Sequence, residues 1–408
     1  MSRREEETES KENAEFRREV RGWIQANRPA DPGFKLPQSF LEVESDRQFE
    51  FLRDWQRKVY EAGYLGLDWP KEYGGHSDPH KRQRIVSQEL NRAGAPFMVN
   101  VIGLQWAGPT ILAYGTEEQK RRCLQPILSG EEIWCQGFSE PGAGSDLASL
   151  QTSAVPEGDG WVVTGHKVWT TLAHVAKWMI LLARTDPAAH KYAGISYFLF
   201  PMDAPGVTVQ PLVKMTGEGG FNQVIFERAP MPKEALLGQL GQGWQIAMTT
   251  LTFERGAAEG TGGGSATPTA ESVRAIASLL HRMRRDGRSA AEDPVLRDRL
   301  TQLWIDEEAL RLTGQRARVP GLNVDDRPLA TRLMNKLVYS ELGQRMTEFA
   351  CEGLGPDAGL WLGDPSAPDK AEWPRAYMNS FGVTIGGGTS EIQRNIIGER
   401  VLGLPKSK

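Results

Sequence analysis

The feature that most constrains this chain is an abrupt change of texture near Glu131, reversed near Leu237. Between the two points run WVVTGHKVWTT, KWMILLART, GISYFLFPM, GVTVQPLV and NQVIFERAPM, short segments rich in β-branched and aromatic residues. Turn signals such as Gly158-Asp159-Gly160 separate them, and no gap is long enough for a helical crossover. Strands joined in that way pair mainly antiparallel. On either side the periodicity is helical. Phe16, Val20, Trp23 and Ile24 fall at i, i+4, i+7 and i+8, and Phe51, Leu52, Trp55 and Val59 repeat a one-faced pattern. Helices are also predicted over 82–92, 104–114 and 117–128, with loops at 28–37 and 73–79. Beyond the strands, 244–254 reads as a helix, and Asp293-Pro294 opens another with Leu296, Leu300, Leu303 and Leu310 on one face. Leu329, Leu333, Leu337 and Leu342 mark a third, and 389–402 a last one entered from Gly386-Gly387-Gly388. Residues 256–270, rich in glycine, read as a loop. The expected fold class is α+β and multi-domain: an N-terminal α-helical domain over 1–130, a middle antiparallel β-domain over 131–237 and a C-terminal helical domain over 238–408.

Charge and cysteine usage narrow the function. Lys and Arg number 48 against 52 for Asp and Glu, so the chain lacks the basic excess of a nucleic-acid binder. Its longest apolar run, Trp178 to Ala183, is far short of the ~20 residues that span a bilayer. The charged start MSRREEETESKEN has no apolar segment of a signal peptide, and Cys123, Cys135 and Cys351 form no CxxC. The expectation is a cytoplasmic protein with no integral membrane segment, disulfide framework or structural zinc. His76 and His80 are four apart, but glycines and Pro79 surround them and no HExxH accompanies them, so no metal is expected. The basic cluster at 281–288 reads as a solvated helix end.

Four stretches carry possible chemistry. In CQGFSEPGAGSDLAS, Gly142, Gly144, Ser139 and Ser145 could offer N–H and O–H donors to an anion, or form an ordinary serine/glycine turn. In KVWTT, Trp169 and Thr171 would share a strand face, where an indole and a hydroxyl could hold a flat ring; equally, Trp169 could be core. Glu254-Arg255 could be a general base beside an anion-binding cation, or a surface ion pair. Gly386-Gly387-Gly388 feeding Thr389, Ser390 and Glu391 could be an anion site or a plain glycine-rich helix entry.

Taken together and in this order, FSEPGAGSD, W-x-T and GGTSEIQRN resemble the acyl-CoA dehydrogenase family over nearly the whole chain. The resemblance implies an N-terminal helical domain, a middle β-domain and a C-terminal four-helix bundle. It implies FAD as cofactor, held by Phe138, Ser139, Gly144, Ser145, Trp169, Thr170, Thr171, Thr389, Ser390 and Glu391. Trp169 would pack on a flavin face and Thr171 would lie near flavin N5, while Ser145, Thr252, Arg255 and Gly388 would contact an acyl-CoA thioester. The implied reaction removes an α-proton and transfers hydride from the β-carbon. An electron-transfer flavoprotein would then reoxidise the flavin.

The sequence departs from the family pattern in three places. Many members carry the catalytic base one residue before the GTS segment, where this chain has Gly387. A branch that includes isovaleryl- and long-chain-type enzymes places it before the arginine of the earlier helix, which here makes Glu254 the catalytic residue. The RxxFG segment is replaced by Arg285–Arg288, and the QxxGGxG segment is reduced to 351–355. Both contact FAD across subunits in the family. The expectation is therefore a homodimer first, with a tetramer or heteromer next. An acyl-CoA oxidase or flavin monooxygenase on the same fold, and a non-catalytic partner subunit, are the competing functions; the retained Glu254 favours dehydrogenation. Small residues after Arg255, with Gly387, predict a branched, cyclic or bulky acyl group.

Overall fold

A computed structural model describes residues 10–37, 39–256, 272–285, 287–316 and 330–406, excluding the side chains of residues 255, 256, 272 and 330–333. It divides into two compact units, 1–264 and 265–408.

The first unit opens with helices α1 (Lys11–Asn27), α2 (Asp46–Glu61), α3 (Gln83–Arg92), α4 (Gly108–Tyr114) and α5 (Glu117–Ser129). Helix α1 starts at Ser10, whose hydroxyl accepts the Asn13 amide at 3.2 Å. Capping boxes start α2 at Ser45/Gln48 and α5 at Thr116/Gln119, satisfying amide groups that no earlier turn can reach. The predicted stripes are the buried ones: Val20 and Ile24, then Leu52, Trp55 and Val59. A π-helical turn, Gly103–Ala107, precedes α4. Asn100 joins helices to sheet, since its amide donates to the Ile127 and Glu132 carbonyls while its oxygen accepts the Trp134 amide at 3.0 Å.

Strands follow: β1 (Trp134–Gly137), β2 (Ser153–Glu157), β3 (Gly160–Thr171), β4 (Trp178–Arg184), β5 (Ile195–Pro201), β6 (Val207–Leu212), β7 (Phe221–Pro232) and β8 (Leu236–Leu237). They form one sheet in the order β6-β7-β3-β2-β4-β5-β8, with β1 beside β4. Most pairs are antiparallel, but β1 and β2 each meet β4 in parallel. The apolar run Trp178–Ala183 has a simple cause, because β4 and β5 are covered on both faces. Ile180, Leu182, Tyr197 and Leu199 join a core shared with the helices, while Met179, Leu181, Phe198 and Phe200 fill the other face. Helix α6 (Gly243–Gly256) then returns across β5. Its first residue must be small, since a Cβ on Gly243 would lie 2.5 Å from the Ser196 carbonyl carbon.

The second unit contains α7 (Ser272–Arg282), a hairpin of β9 (Arg284–Arg285) and β10 (Arg288–Ser289), α8 (Pro294–Arg316), α9 (Ala330–Leu354), α10 (Glu372–Ile385) and α11 (Ser390–Ile396), which runs on as a π-helical turn, Ile397–Val401. Asp293 caps α8, accepting the Val295 and Leu296 amides at 2.8 and 3.3 Å. Leu296 and Leu303 pack with Leu280, Leu342, Phe349 and Trp373 in a separate core. Helices α7 and α10 were not anticipated from periodicity, and the helix end expected over 281–288 stops at Arg282, beyond which the chain turns into the hairpin. Among the described residues, no helix is long and apolar enough to cross a membrane. The three cysteines are free, and burial pushes the Cys123 and Cys351 thiols up to about 12 and about 11.

Candidate active site

The site in the first unit starts where β1 ends. Gly137 fits there because a Cβ would meet Met179 Sδ at 2.2 Å. Phe138 turns its ring into the core, edge-on to Tyr197 at 5.8 Å. The chain then makes a tight turn in which Glu140 and Ala143 exchange backbone hydrogen bonds of 3.0 and 3.1 Å. Beyond it Gly144 and Ser145 are exposed, and a Cβ on Gly142 or Gly144 would meet nothing within 4 Å. The chain itself therefore gives no packing reason for these glycines. A turn that is open on its outer side and free of side chains can admit a ligand close to the backbone.

Strand β3 passes beside this turn. The Val168 amide donates to the Ser139 carbonyl at 3.0 Å. Between Lys167 and Thr170 the pairing with β7 slips, and Trp169 sits at φ +59°, a left-handed conformation that is costly for a bulky side chain. Its indole is 62% exposed and meets the Phe221 ring in a T-shaped contact at 5.8 Å. Trp169 is not core. The bulge also corrects the expected alternation, since Trp169 is exposed whereas Thr170 and Thr171 are buried. Thr170 Oγ1 is buried without a hydrogen-bond partner, and the Thr170 carbonyl accepts from Asn222 at 3.1 Å.

One part of the site escaped the sequence reading. Lys167 is fully buried, and its ammonium donates to the Phe138 carbonyl at 3.0 Å and to Glu140 at 2.8 Å. Glu140 also accepts the Gln151 and Thr152 amides, at 2.7 and 2.9 Å. Burial pulls the Lys167 ammonium down to about 8 against the attraction of Glu140. Burial works against ionised Glu140 as well, yet Lys167 and the backbone amides hold its carboxyl below the ordinary value. The signal was present as a lysine inside an apolar strand run, a residue type that is almost never fully buried unless paired.

Helix α6 carries Glu254. Ile246, Ala247 and Thr250 form its buried face, and Glu254, one turn after Thr250, prolongs that face as a half-buried residue. Hydroxyl contacts pin the helix, with Thr250 to Thr110 at 2.9 Å, Thr250 to Tyr197 at 3.1 Å and Thr249 to Tyr114 at 2.9 Å. Thr252 donates its hydroxyl proton to the Met248 carbonyl at 2.9 Å, leaving oxygen lone pairs to accept. The Arg255 side chain, and residues 257–270 of the predicted loop, lie outside the described residues. Tyr197 thus touches both halves of the site, Phe138 with its ring and α6 with its hydroxyl.

The remaining predicted residues belong to the second unit. Gly387 and Gly388 have φ of +66° and +97°, and a Cβ on Gly388 would meet Gln393 Nε2 at 2.8 Å. Gln393 donates to the Gly387 carbonyl at 2.8 Å and Lys336 to the Gly388 carbonyl at 2.7 Å. Thr389 caps α11, accepting the Ile392 amide at 3.3 Å, and Ser390 is buried. The Glu391 carboxyl is held low by its own backbone amide and the Thr389 hydroxyl. Arg285, in the segment that replaces RxxFG, donates to the Glu352 carbonyl at 2.7 Å, so the two divergent segments meet. His80 lies 3.9 Å from Glu12, and no cluster of three or more metal-ligand side chains occurs among the described residues.

Models of the acyl-CoA dehydrogenase N-terminal, middle and C-terminal domains match residues 10–131, 135–229 and 241–402. The chain is 39% identical to acyl-CoA dehydrogenase IpdE1 of Mycobacterium tuberculosis, over 96% of this chain and 98% of that one. It is 32% identical to the human mitochondrial short-chain specific acyl-CoA dehydrogenase, over 89% of this chain and 85% of that one. Among solved structures, the steroid ACAD Tcur3481-Tcur3483 superposes with a TM-score of 0.80 at 29% identity, covering 98% of this chain and 99% of that one. The ChsE4-ChsE5 complex from Mycobacterium tuberculosis gives 0.77 at 29% identity, with 98% and 99% covered.

Proposed function

The chain belongs to the acyl-CoA dehydrogenase family of flavin-dependent oxidoreductases, and on that premise we propose that it uses FAD to desaturate a bulky acyl-CoA thioester, with Glu254 as base. The observation that carries this reading is Trp169: a strained, exposed indole beside an open, side-chain-free turn. Such a surface fits a flat, phosphate-bearing cofactor. Trp169 would cover one ring face, with Thr171, Ser139 and the Phe138 backbone at its edge and Gly144 and Ser145 at the phosphates. Thr170, Thr389, Ser390 and Glu391 are assigned to the same cofactor. Ser145, Thr252, Arg255 and Gly388 are assigned to the thioester.

Bound there, the flavin supplies the acceptor for the hydride that leaves the β-carbon. Glu254 takes the α-proton, the Cα–H electron pair becomes the new C=C bond, and the product is a 2-enoyl thioester. A free carboxylate is too weak for that proton, so hydrogen-bond donors at the thioester oxygen must stabilise the developing enolate charge. Gly387 has no side chain and cannot take the proton. The domain limits 1–130, 131–237 and 238–408, an oligomeric state of two or more subunits and reoxidation by an electron-transfer flavoprotein belong to the same proposal. The preference for a bulky, ring-bearing group is supported by the likeness to a steroid ACAD and by the small residues after Arg255.

The test is anaerobic titration of the flavin-loaded protein with butyryl-, octanoyl-, isovaleryl- and cyclohexanecarboxyl-CoA, following flavin bleaching. Bleaching by the branched or ring-bearing thioester at the highest kcat/KM is expected. Selection by pocket volume is graded, ~1–3 kcal/mol per methylene, so the other thioesters should react more slowly rather than not at all. Glu254→Gln should lose at least ~10²–10⁴-fold in rate while binding flavin normally. A clear preference for butyryl-CoA would refute the bulky-substrate reading, and an active Glu254→Gln would refute the base.

A further inference from the structure

The hydroxyls of Tyr197, Thr250 and Thr110 form a cluster that the reaction itself does not use. Tyr197 Oη lies 3.1 Å from Thr250 Oγ1, Thr250 Oγ1 lies 2.9 Å from Thr110 Oγ1, and Thr110 Oγ1 lies 2.7 Å from the Trp106 carbonyl oxygen. All three residues are fully buried. Each hydroxyl has one proton to give. A carbonyl can only accept, so the shortest contact assigns the Thr110 proton to Trp106. The proton between the threonines is then donated by Thr250, and the one between Thr250 and Tyr197 by the tyrosine. Thr250's other acceptor, the Ile246 carbonyl, is farther away at 3.1 Å. The chain therefore runs one way, from Tyr197 through Thr250 and Thr110 to Trp106.

This chain joins β5, α6, α4 and the π-helical turn Gly103–Ala107. Apolar packing is non-directional and lets a helix turn about its axis. Directional bonds from two sides do not, because turning the helix would leave buried hydroxyls without partners. Glu254 stands one turn after Thr250, so the rotation of α6 sets where its carboxylate is aimed. The geometry points to Tyr197, Thr250 and Thr110 as positioning residues that fix the rotation of α6 and hence the approach of Glu254 to the substrate α-carbon. The inference rests on Glu254 being the base.

Thr250→Val keeps shape and removes the relay; Thr250→Ser keeps the hydroxyl. With whichever thioester of the panel bleaches the wild type fastest, Thr250→Val should lose about 10-fold or more in kcat with little change in KM, because small misplacements of a reacting group are costly. Thr250→Ser should restore most of that rate. In the flavin-free protein, amide exchange over residues 248–254 should quicken in Thr250→Val and not in Thr250→Ser, a readout independent of turnover. Tyr197→Phe keeps the ring on Phe138 and removes only the donor, so it decides the matter if Thr250→Val does not fold. Wild-type bleaching by Thr250→Val and Tyr197→Phe, with Glu254→Gln inactive, would overturn the positioning role and leave the base in place. Wild-type bleaching by Glu254→Gln would remove both.

Discussion

At the scale of single residues, Trp169 is where the proposed cofactor surface is tested most directly. Its left-handed backbone conformation costs about 1–2 kcal/mol for a residue with a Cβ. Its exposed indole recovers little of that from the protein's own core. Glycine would remove the strain, so the tryptophan is held against the preference of the ligand-free fold. Trp169→Gly should accordingly leave the thermal stability of the flavin-free protein unchanged or slightly raised while weakening FAD binding. Calorimetry of the flavin-free protein and quenching of FAD fluorescence on titration read the two effects separately. A variant that binds FAD as tightly as the wild type would take Trp169 out of the site.

Among elements, the sheet and the turn are joined by the Lys167–Glu140 pair. Removing one partner of a buried pair typically costs ~3–5 kcal/mol, because the survivor stays charged and desolvated. Lys167→Met should lower the unfolding free energy measured by urea titration by an amount in that range, moderated by the two amides that Glu140 retains. Lys167→Met with Glu140→Gln should recover part of the loss. The loop leading into helix α3 carries an acid-sensitive contact. Asp78 is gripped at both oxygens by Arg82, at 2.8 and 3.0 Å, which with the Arg82 and His80 amides lowers its carboxyl from 3.8 to about 2. A depressed carboxyl stabilises the fold fully above its unfolded value and loses that contribution as the pH falls toward the folded one. Urea unfolding at pH 5 and pH 2.5 should show an acid loss of about 1.5 kcal/mol that Asp78→Asn lacks. An equal acid loss in the variant would assign the effect elsewhere.

For the whole molecule, the second unit leaves Trp304, Ile305 and Leu312 of α8 and Phe381 and Ile385 of α10 exposed. Exposed large apolar side chains of this kind are what a subunit contact would cover, as the proposed oligomer requires. Sedimentation of the flavin-loaded protein at micromolar concentration should give a dimer or larger species, and Trp304→Glu with Leu312→Glu should shift it toward monomer. A flavin-loaded monomer in the unsubstituted protein would contradict the expectation.

The order of helices, strands and helices was written in the sequence, because a face that must be buried imposes its period on the residues that form it. Val20, Leu52, Trp55 and Leu296 were legible for that reason. The glycines of the open turn were legible as well, and Glu254 was legible as a candidate base ahead of Arg255. The bulge at Trp169 was not legible, because a slip of pairing depends on the partner strand and leaves the residue alternation of KVWTT unchanged. Nor was the burial of Lys167, whose partner lies 27 positions away and is brought near only when β3 crosses the turn after β1. The relay from Tyr197 to Thr110 spans three elements that no local pattern connects. Local periodicity set the order of the helical and sheet regions and most of their elements; only tertiary packing decided which polar groups would meet without water.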